Sequence, residues 1–324
     1  MKAAVIQKFG DTPQYQDFPY PTTGVDDVVI QVKAVALENF DKMTAKGTHY
    51  ASKQIFPQFP AIVGHSGVGT TLEDGALVFF GGAKPPYGTM AETAVVPEIY
   101  KAYITPVPQG IDVAVAASLP ASALTSLLPL RWGTPLQFGE TVLVNGATGV
   151  SGKIAIQIAK LLGAGRIVGT GRDDEGLHSI IALGADAAID IKQSDKEITE
   201  AFMKEAGKGY DVVLDYLWGH PAELLFRMLV PKKAGFAVHK TRFVQIGEAA
   251  GPTISLSAET IRTSGVEIKG AGKVPPDAIP EAFKQTWEWI IAGKLSIDIE
   301  KASLRDIAEA WGRKVEGKRV VIIP

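Results

Sequence analysis

The sequence predicts an α/β protein in which a doubly wound parallel sheet is inserted into a barrel-like antiparallel domain. Three observations predict it: short β-branched runs parted by Gly- and Pro-rich turns in the N-terminal third, a repeated strand, turn, helix grammar from Thr141 to Ile246, and a return to mixed elements at the end. With 324 residues the chain is long enough for two cores without disulfide or metal support.

Residues 1–6, 27–36, 76–80 and 93–96 read as strands separated by turns such as Gly81-Gly82 and Pro85-Pro86, the spacing of a barrel-like domain. The uncharged run from Val113 to Leu130 has nearly membrane-spanning length. Pro120 and Pro129 interrupt it, and Ser118, Ser122, Thr125 and Ser126 dilute it, so two short buried helices are expected. The alternation then predicts a strand over 141–145, a helix to Leu162, a strand over 166–170, a helix to Leu183 and a strand over 187–189. A helix near 197–206, a strand over 211–215, a helix near 221–230 and a strand over 243–246 follow. Such alternation means parallel strands covered by helices on both faces.

The stretch from Pro231 to Arg242 is longer than the usual turn before a strand and is expected to form a β-hairpin. Beyond Gly265 come a strand over 266–270, helices over 278–292 and near 304–315, and a closing strand over 319–323. Trp287 and Trp289 stand two apart on one of those helices, so they face different sides, one for packing and one as a candidate interface residue. The expected division is 1–120 with 266–324 for the outer domain and 121–265 for the inserted one. No solenoid repeat or low-complexity tract is present.

Lys plus Arg number 33 against 35 Asp plus Glu, a net charge of −2 without a charge block, which argues against a nucleic-acid or anionic-membrane partner. Met1 to Asp11 carries Lys2 and Lys8 around an apolar stretch too short for the h-region of a secretory signal, so a cytoplasmic protein is expected. The absence of cysteine excludes disulfides, thiolate nucleophiles, Cys-ligated zinc and iron–sulfur clusters on this chain.

The chemistry-bearing motif is Asn145-Gly146-Ala147-Thr148-Gly149-Val150-Ser151-Gly152, entered from an apolar strand and followed by Ile154, Ile158 and Leu161 at helical spacing. Glycines at these positions allow a tight turn, close approach of backbone to a pyrophosphate, and close helix–strand packing. The N–H groups opening the helix then face the anion. The residue selecting between nicotinamide cofactors lies about 20 positions further on, at the end of the second strand. Gly171-Arg172 stands there instead of a carboxylate, and a guanidinium beside a small residue can clamp a 2′-phosphate, which favours NADP(H). Asp173 and Asp174 follow, open to two readings: ribose ligands, or the N-cap and first turn of the next helix.

In these residues the chain resembles the medium-chain dehydrogenase/reductase superfamily, and within it the zinc-independent quinone oxidoreductase branch that includes zeta-crystallin. The resemblance runs nearly end to end. It rests on Met1-Lys2-Ala3-Ala4-Val5, Gly64-His65-Ser66-Gly67-Val68-Gly69, Gly88-Thr89-Met90-Ala91-Glu92, Ala116-Ala117-Ser118 with Leu124-Thr125, and the glycine motif. Asp211-Val212-Val213-Leu214-Asp215, Phe243-Val244-Gln245-Ile246-Gly247 and Gly317-Lys318-Arg319-Val320-Val321 complete it. The resemblance implies a Rossmann domain inserted into a GroES-like β-barrel domain, a cleft between them for NADPH and substrate, and a homodimer or homotetramer often built by pairing the strand at 266–270. Residue by residue it implies Thr125 near the nicotinamide, Asn145 to Gly152 on the pyrophosphate and Gly171 with Arg172 on the 2′-phosphate. Leu217, Ile246 and Gly247 fall in loops flanking the ribose and nicotinamide. A helix hydroxyl bonded to its own backbone is the other reading of Thr125.

Zinc-dependent relatives hold their metal with cysteines and a histidine after glycine. Gly64-His65 keeps the histidine, but Ser66 replaces their glutamate and no cysteine exists, so no catalytic zinc is expected. The lobe for a structural zinc is missing between Glu92 and Ile111. Without a Lewis acid, electron-poor acceptors are the natural substrates, so the implied reaction is hydride transfer from NADPH to a quinone or α,β-unsaturated carbonyl. Alternatives are an alcohol or aldehyde reductase, an enoyl-thioester reductase of the same superfamily, or an NADPH-binding structural or sensor protein with little turnover. Candidate proton donors or relays are Glu38, Asp41, Tyr50 and His65; Asp41 matches a common family aspartate, and Glu38 replaces the family's usual asparagine. Helix capping for Asp41 and a buried structural role for His65 are the competing readings.

Overall fold

Apolar runs and glycine turns set the element order. The computed structural model describes every residue except Ala234 and Lys273, and of Ala102 the backbone only. The chain runs through β1 (Lys2–Ile6), β2 (Gln14–Asp17), β3 (Val28–Ala36), α1 (Asn39–Lys46), α2 (Ser52–Ile55), β4 (Ala61–Ile62), β5 (Ser66–Thr71), β6 (Leu77–Gly81), β7 (Thr93–Val96), β8 (Thr105–Pro106) and α3 (Val113–Leu128). It continues through β9 (Thr141–Asn145), α4 (Val150–Leu161), β10 (Arg166–Gly171), α5 (Asp174–Leu183), β11 (Ala187–Asp190), α6 (Asp195–Ala206), β12 (Val212–Asp215), α7 (Gly219–Leu229) and β13 (Thr241–Gln245). It closes with α8 (Ala258–Thr263), β14 (Val266–Gly270), α9 (Ala278–Ile291), β15 (Ile299–Ser303), α10 (Ile307–Gly312) and β16 (Arg319–Ile323).

Two units result, Met1–Ala121 with Ile297–Pro324, and Ser122–Ser296. In the first, β2-β1-β4 form a small antiparallel sheet, and β15-β16-β3-β5-β6-β8, with β7 beside β3, form a larger one that is antiparallel except for the parallel pair β15 and β16. The chain's end returns to this unit because β16 pairs antiparallel with β3, Val321 opposite Ala36 and Ile322 opposite Val35. Ile6, Ile30, Val35, Phe80 and Met90 share its core with Ile307 and Ile322.

In the second unit six strands run parallel in the order β11-β10-β9-β12-β13-β14. The winding direction reverses between β9 and β12, and Asn145 and Asp215, which end those strands, are registered side by side. Ligands of doubly wound sheets bind at such reversals, beyond the carboxyl ends of the strands. Phe202, Tyr210, Phe226 and Phe243 are buried together beneath α6 and α7. Each such side chain contributes about 1.5–3 kcal/mol through burial.

Four expectations are corrected. The chain forms one helix, α3, through Pro120 rather than two: the proline removes one donor, while Ala116, Ala117, Leu119, Ala123 and Leu127 bury the helix and Ser118 Oγ donates to Ala114 O at 2.7 Å. Pro129 does end the α-helix, in a wider turn over Pro129–Gly133. The apolar segment Val113–Gly133 has membrane-spanning length, but 67% of its 18-residue apolar stretch is buried inside the protein. Residues 231–240 hold no strand among the described residues; instead Ala237 N–H donates to Thr263 O at 2.7 Å. The inserted unit ends at Ser296 rather than 265, since β14 pairs with β13 and prolongs the parallel sheet. Trp289 is buried like Trp287, at 9% and 5% exposure, and presents no ring to a partner.

Candidate functional site

The second unit builds a dinucleotide-type turn from its backbone upward. Gly146 leaves β9 with φ +92°, a conformation glycine adopts without cost, and α4 begins at the N-cap Gly149, which has no capping side chain. The first N–H groups of α4 therefore lack an intrahelical acceptor and face outward for an anion. A Cβ on Gly152 would lie 2.6 Å from Ala147 Cα, with Gly146 O closer still, so only glycine lets α4 approach the turn; at Gly149 a Cβ would meet only Gly146 O, at 3.6 Å. That open cradle fits a pyrophosphate.

Thr148 is seated on glycines from the next βα unit. A Cβ on Gly171 would overlap the Thr148 methyl, and one on Gly176 would lie 2.9 Å from Thr148 Cβ. The small residue at 171 thus serves the packing of the turn. Arg172 is exposed and, among the described residues, carries no ion pair, leaving its guanidinium available to a phosphate. Asp173 is the N-cap of α5 and accepts from Gly176 N at 2.5 Å. Its carboxylate is already used locally, as the capping alternative anticipates.

Leu217, Ile246 and Gly247 surround the same strand ends. Leu217 packs on Gly146, where a Cβ would come within 2.9 Å of its side chain, and the N–H groups of Ile246 and Gly247 donate to Asp215 O at 2.8 and 3.1 Å. Thr125 on α3 donates to Ser122 O at 2.7 Å and lies 3.2 Å from the Tyr216 hydroxyl. Because the threonine proton is committed to Ser122, Tyr216 is the donor in that pair. Burial pushes the Tyr216 phenol up to about 12, so it stays protonated. Asp215 was missed as a site group in the sequence; the signal was a carboxylate ending a strand otherwise made of Val and Leu.

The first unit brings Glu38, Asp41 and His65 together. Asp41, 3% exposed at the third position of α1, accepts the Glu38 N–H at 2.8 Å and also the His65 N–H. Burial, reinforced by the Glu38 charge, pushes its pKa up to about 7 against those two N–H groups and Arg319. The capping reading of Asp41 is therefore what the geometry displays. Glu38 faces buried Arg319, whose Nη2 lies 3.6 Å from Glu38 Oε1 while Nη1 donates to Leu37 O at 3.0 Å. This arginine was invisible as a partner in the sequence, since it is distant in the chain and sits in a closing strand.

His65 follows Gly64, which has φ +102° and where a Cβ would lie 2.5 Å from Thr89 Oγ1. His65 is exposed, yet desolvation by the protein around it holds its pKa below the ordinary 6.5, with the Glu38 charge opposing. The ring stands edge-on to Phe40 at 4.9 Å, Phe40 meets His49 at 4.9 Å, and His49 lies over Tyr50 at 4.1 Å. Tyr50 itself is 95% exposed and joins that row of rings through His49.

The donor set does not fit a zinc ion. Cysteine is absent, Asp41 is engaged by two N–H groups and Glu38 by Arg319, and no three ligand-type side chains converge among the described residues.

Residues 151–290 match the zinc-binding dehydrogenase family. A 288-residue stretch is 25% identical to an NAD-dependent alcohol dehydrogenase of Sulfolobus acidocaldarius, covering 78% of each chain. Another, of 203 residues, is 27% identical to the probable NADPH-dependent quinone reductase tdiC of Emericella nidulans, covering 57% of this chain and 54% of that protein. Several other relatives are far longer, and the chain spans 9–12% of their length. In fold, the quinone oxidoreductase of Pseudomonas syringae pv. Tomato DC3000 superposes over 100% of this chain and 99% of its own with a TM-score of 0.82 at 24% identity. With its parallel sheet inserted into another unit and its glycine turn at the strand reversal, the chain has the fold of the quinone oxidoreductase structures and is similar to the medium-chain dehydrogenase/reductase superfamily, quinone reductases among its relatives.

Proposed function

We propose that the protein is an NADPH-dependent reductase that delivers hydride to a quinone or α,β-unsaturated carbonyl without a catalytic metal. The observation that carries this reading is the open turn Asn145 to Gly152 at the mouth of α4, with Arg172 exposed at the tip of the neighbouring strand. When bound, the nicotinamide supplies the hydride. The N–H groups of Val150, Ser151 and Gly152 take the pyrophosphate charge, and Arg172 takes the 2′-phosphate. Thr125, its proton donated to Ser122 O, offers a lone pair to a carboxamide N–H.

On the acceptor side Asp41 and Glu38 act as positioning groups: Asp41 ties the start of α1 to the His65 backbone, and Arg319 fixes Glu38. His65, neutral at pH 7, and Tyr50 are the groups free to donate a hydrogen bond to the oxygen that gains charge during reduction. Orientation of the acceptor, rather than polarisation by a metal, is the protein's contribution. An alcohol dehydrogenase of the zinc-dependent kind would need ligands that this chain does not possess.

The near-balanced charge supports a cytoplasmic protein without nucleic-acid or membrane partners, and the exposed edge of β14 supports a homodimer or homotetramer. The test is consumption of NADPH and NADH by chelator-treated protein against ortho- and para-quinones, an enone, an enoyl thioester and an aldehyde. The reading requires NADPH-linked loss with a quinone or the enone. Activity with the aldehyde alone, abolished by chelation, would overturn it, and tight NADPH binding with no turnover would make this a binding protein.

A further inference from the structure

Three loops at the strand ends of the second unit are tied to one buried residue, Asp215, two through its carboxylate and one through its backbone oxygen. Asp215, fully buried at the end of β12, accepts from Asn145 Nδ2 at 2.8 Å through Oδ1. Asn145, equally buried, accepts the Thr170 hydroxyl on its own Oδ1 at 2.8 Å, and Thr170 Oγ1 accepts the Gly146 N–H at 2.8 Å. Every proton along this relay has one direction: the amide nitrogen of Asn145 must face the carboxylate, which leaves its oxygen for Thr170 and the threonine lone pair for Gly146. The same carboxylate accepts from Leu217 N at 3.1 Å and from Trp218 N at 3.1 Å on Oδ2, holding the turn that packs on Gly146. The backbone oxygen of Asp215 holds the third turn through Ile246 and Gly247.

We propose that Asp215 is a positioning residue for the dinucleotide: through Asn145 and Thr170 it anchors the first residue of the glycine turn by its N–H, and through Leu217 and Trp218 it sets the opposite wall. The proposal rests on the nucleotide reading of this turn. A purely core role would ask only for a group of the right volume, whereas a chain of matched donors and acceptors ending on Gly146 N–H places the consequence in cofactor affinity.

The test compares Asp215→Asn, Thr170→Val and the double variant with wild type by fluorescence titration of NADPH and by the split between KM and kcat. Asp215→Asn keeps the volume but sets an amide N–H against the Trp218 N–H; Thr170→Val cuts the relay at its far end without touching Asp215. Each single variant should weaken NADPH binding about tenfold or more, with KM for NADPH rising further than kcat falls. Asp215→Asn disturbs the Trp218 side of the turn and Thr170→Val the Gly146 side, so the double variant should bind NADPH more weakly than either single one. Folded variants that bind NADPH like wild type while only losing thermal stability overturn the proposal. If Asp215→Asn fails to fold, Thr170→Val decides alone. Wild-type protein that binds neither NADPH nor NADH would instead overturn the nucleotide reading itself.

Discussion

Replacing Asp41 by asparagine should change how stability depends on pH. Asp41 is a buried carboxyl whose pKa is pushed from the ordinary 3.8 to about 7, chiefly by burial and then by the Glu38 charge, with the Glu38 and His65 N–H groups and Arg319 opposing. A folded-state value above the unfolded one means that the folded protein binds the extra proton. Stability is therefore fully present below about pH 4 and falls as pH rises, flattening above about 7. At about 1.4 kcal/mol per pH unit, moving a carboxyl from 3.8 to about 7 corresponds to a loss of about 4 kcal/mol across that window. The substituted amide cannot titrate, yet its oxygen still accepts the Glu38 N–H. The Asp41→Asn variant should consequently gain on wild type by several kcal/mol between pH 4 and pH 8. Urea-unfolding midpoints of both proteins, measured across that range, test this, because other titrations occur in both chains and largely cancel. Parallel profiles, with a difference constant within about 1 kcal/mol, would refute the reasoning.

Gly152→Ala places a methyl against Gly146 O and Ala147 Cα; an overpacking strain of about 1–3 kcal/mol should appear as weaker NADPH binding, read by fluorescence titration. Arg172→Ala should raise KM for NADPH about tenfold while leaving KM for NADH unchanged; equal effects on both cofactors would remove the 2′-phosphate role. Tyr210→Phe deletes a buried hydroxyl that donates to Phe202 O at 2.9 Å, far along the chain from the glycine turn. It should cost about 1 kcal/mol in urea unfolding with kcat unaltered.

The parallel sheet was legible because its strands are buried on both faces and so read as continuous Val and Leu runs, as in Val142-Leu143-Val144 and Val212-Val213-Leu214, with a glycine turn after the first. What escaped was tertiary. Pro120 looked like a break, but burial of the alanine- and leucine-rich faces of α3 outweighs one missing donor. The strand at 266–270 was assigned outside the inserted domain because nothing local to it shows that its partner is β13. Arg319 finds Glu38 across nearly the whole chain, through the pairing of β16 with β3, and no local pattern encodes such a contact. Gly171 was read as room for a phosphate, whereas its missing Cβ accommodates the Thr148 methyl. Asp41 and Asp173 were legible in both their senses, and in each case the structure displays the capping one.

The most direct test of the account follows the hydride. NADPH deuterated at C4, prepared separately with either face labelled, is turned over with an enone by chelator-treated protein, and the product is analysed by mass spectrometry. The account predicts deuterium on the β-carbon from one of the two labels, with no dependence on added zinc. Unlabelled product from both cofactors, or no product despite saturating NADPH, would contradict it.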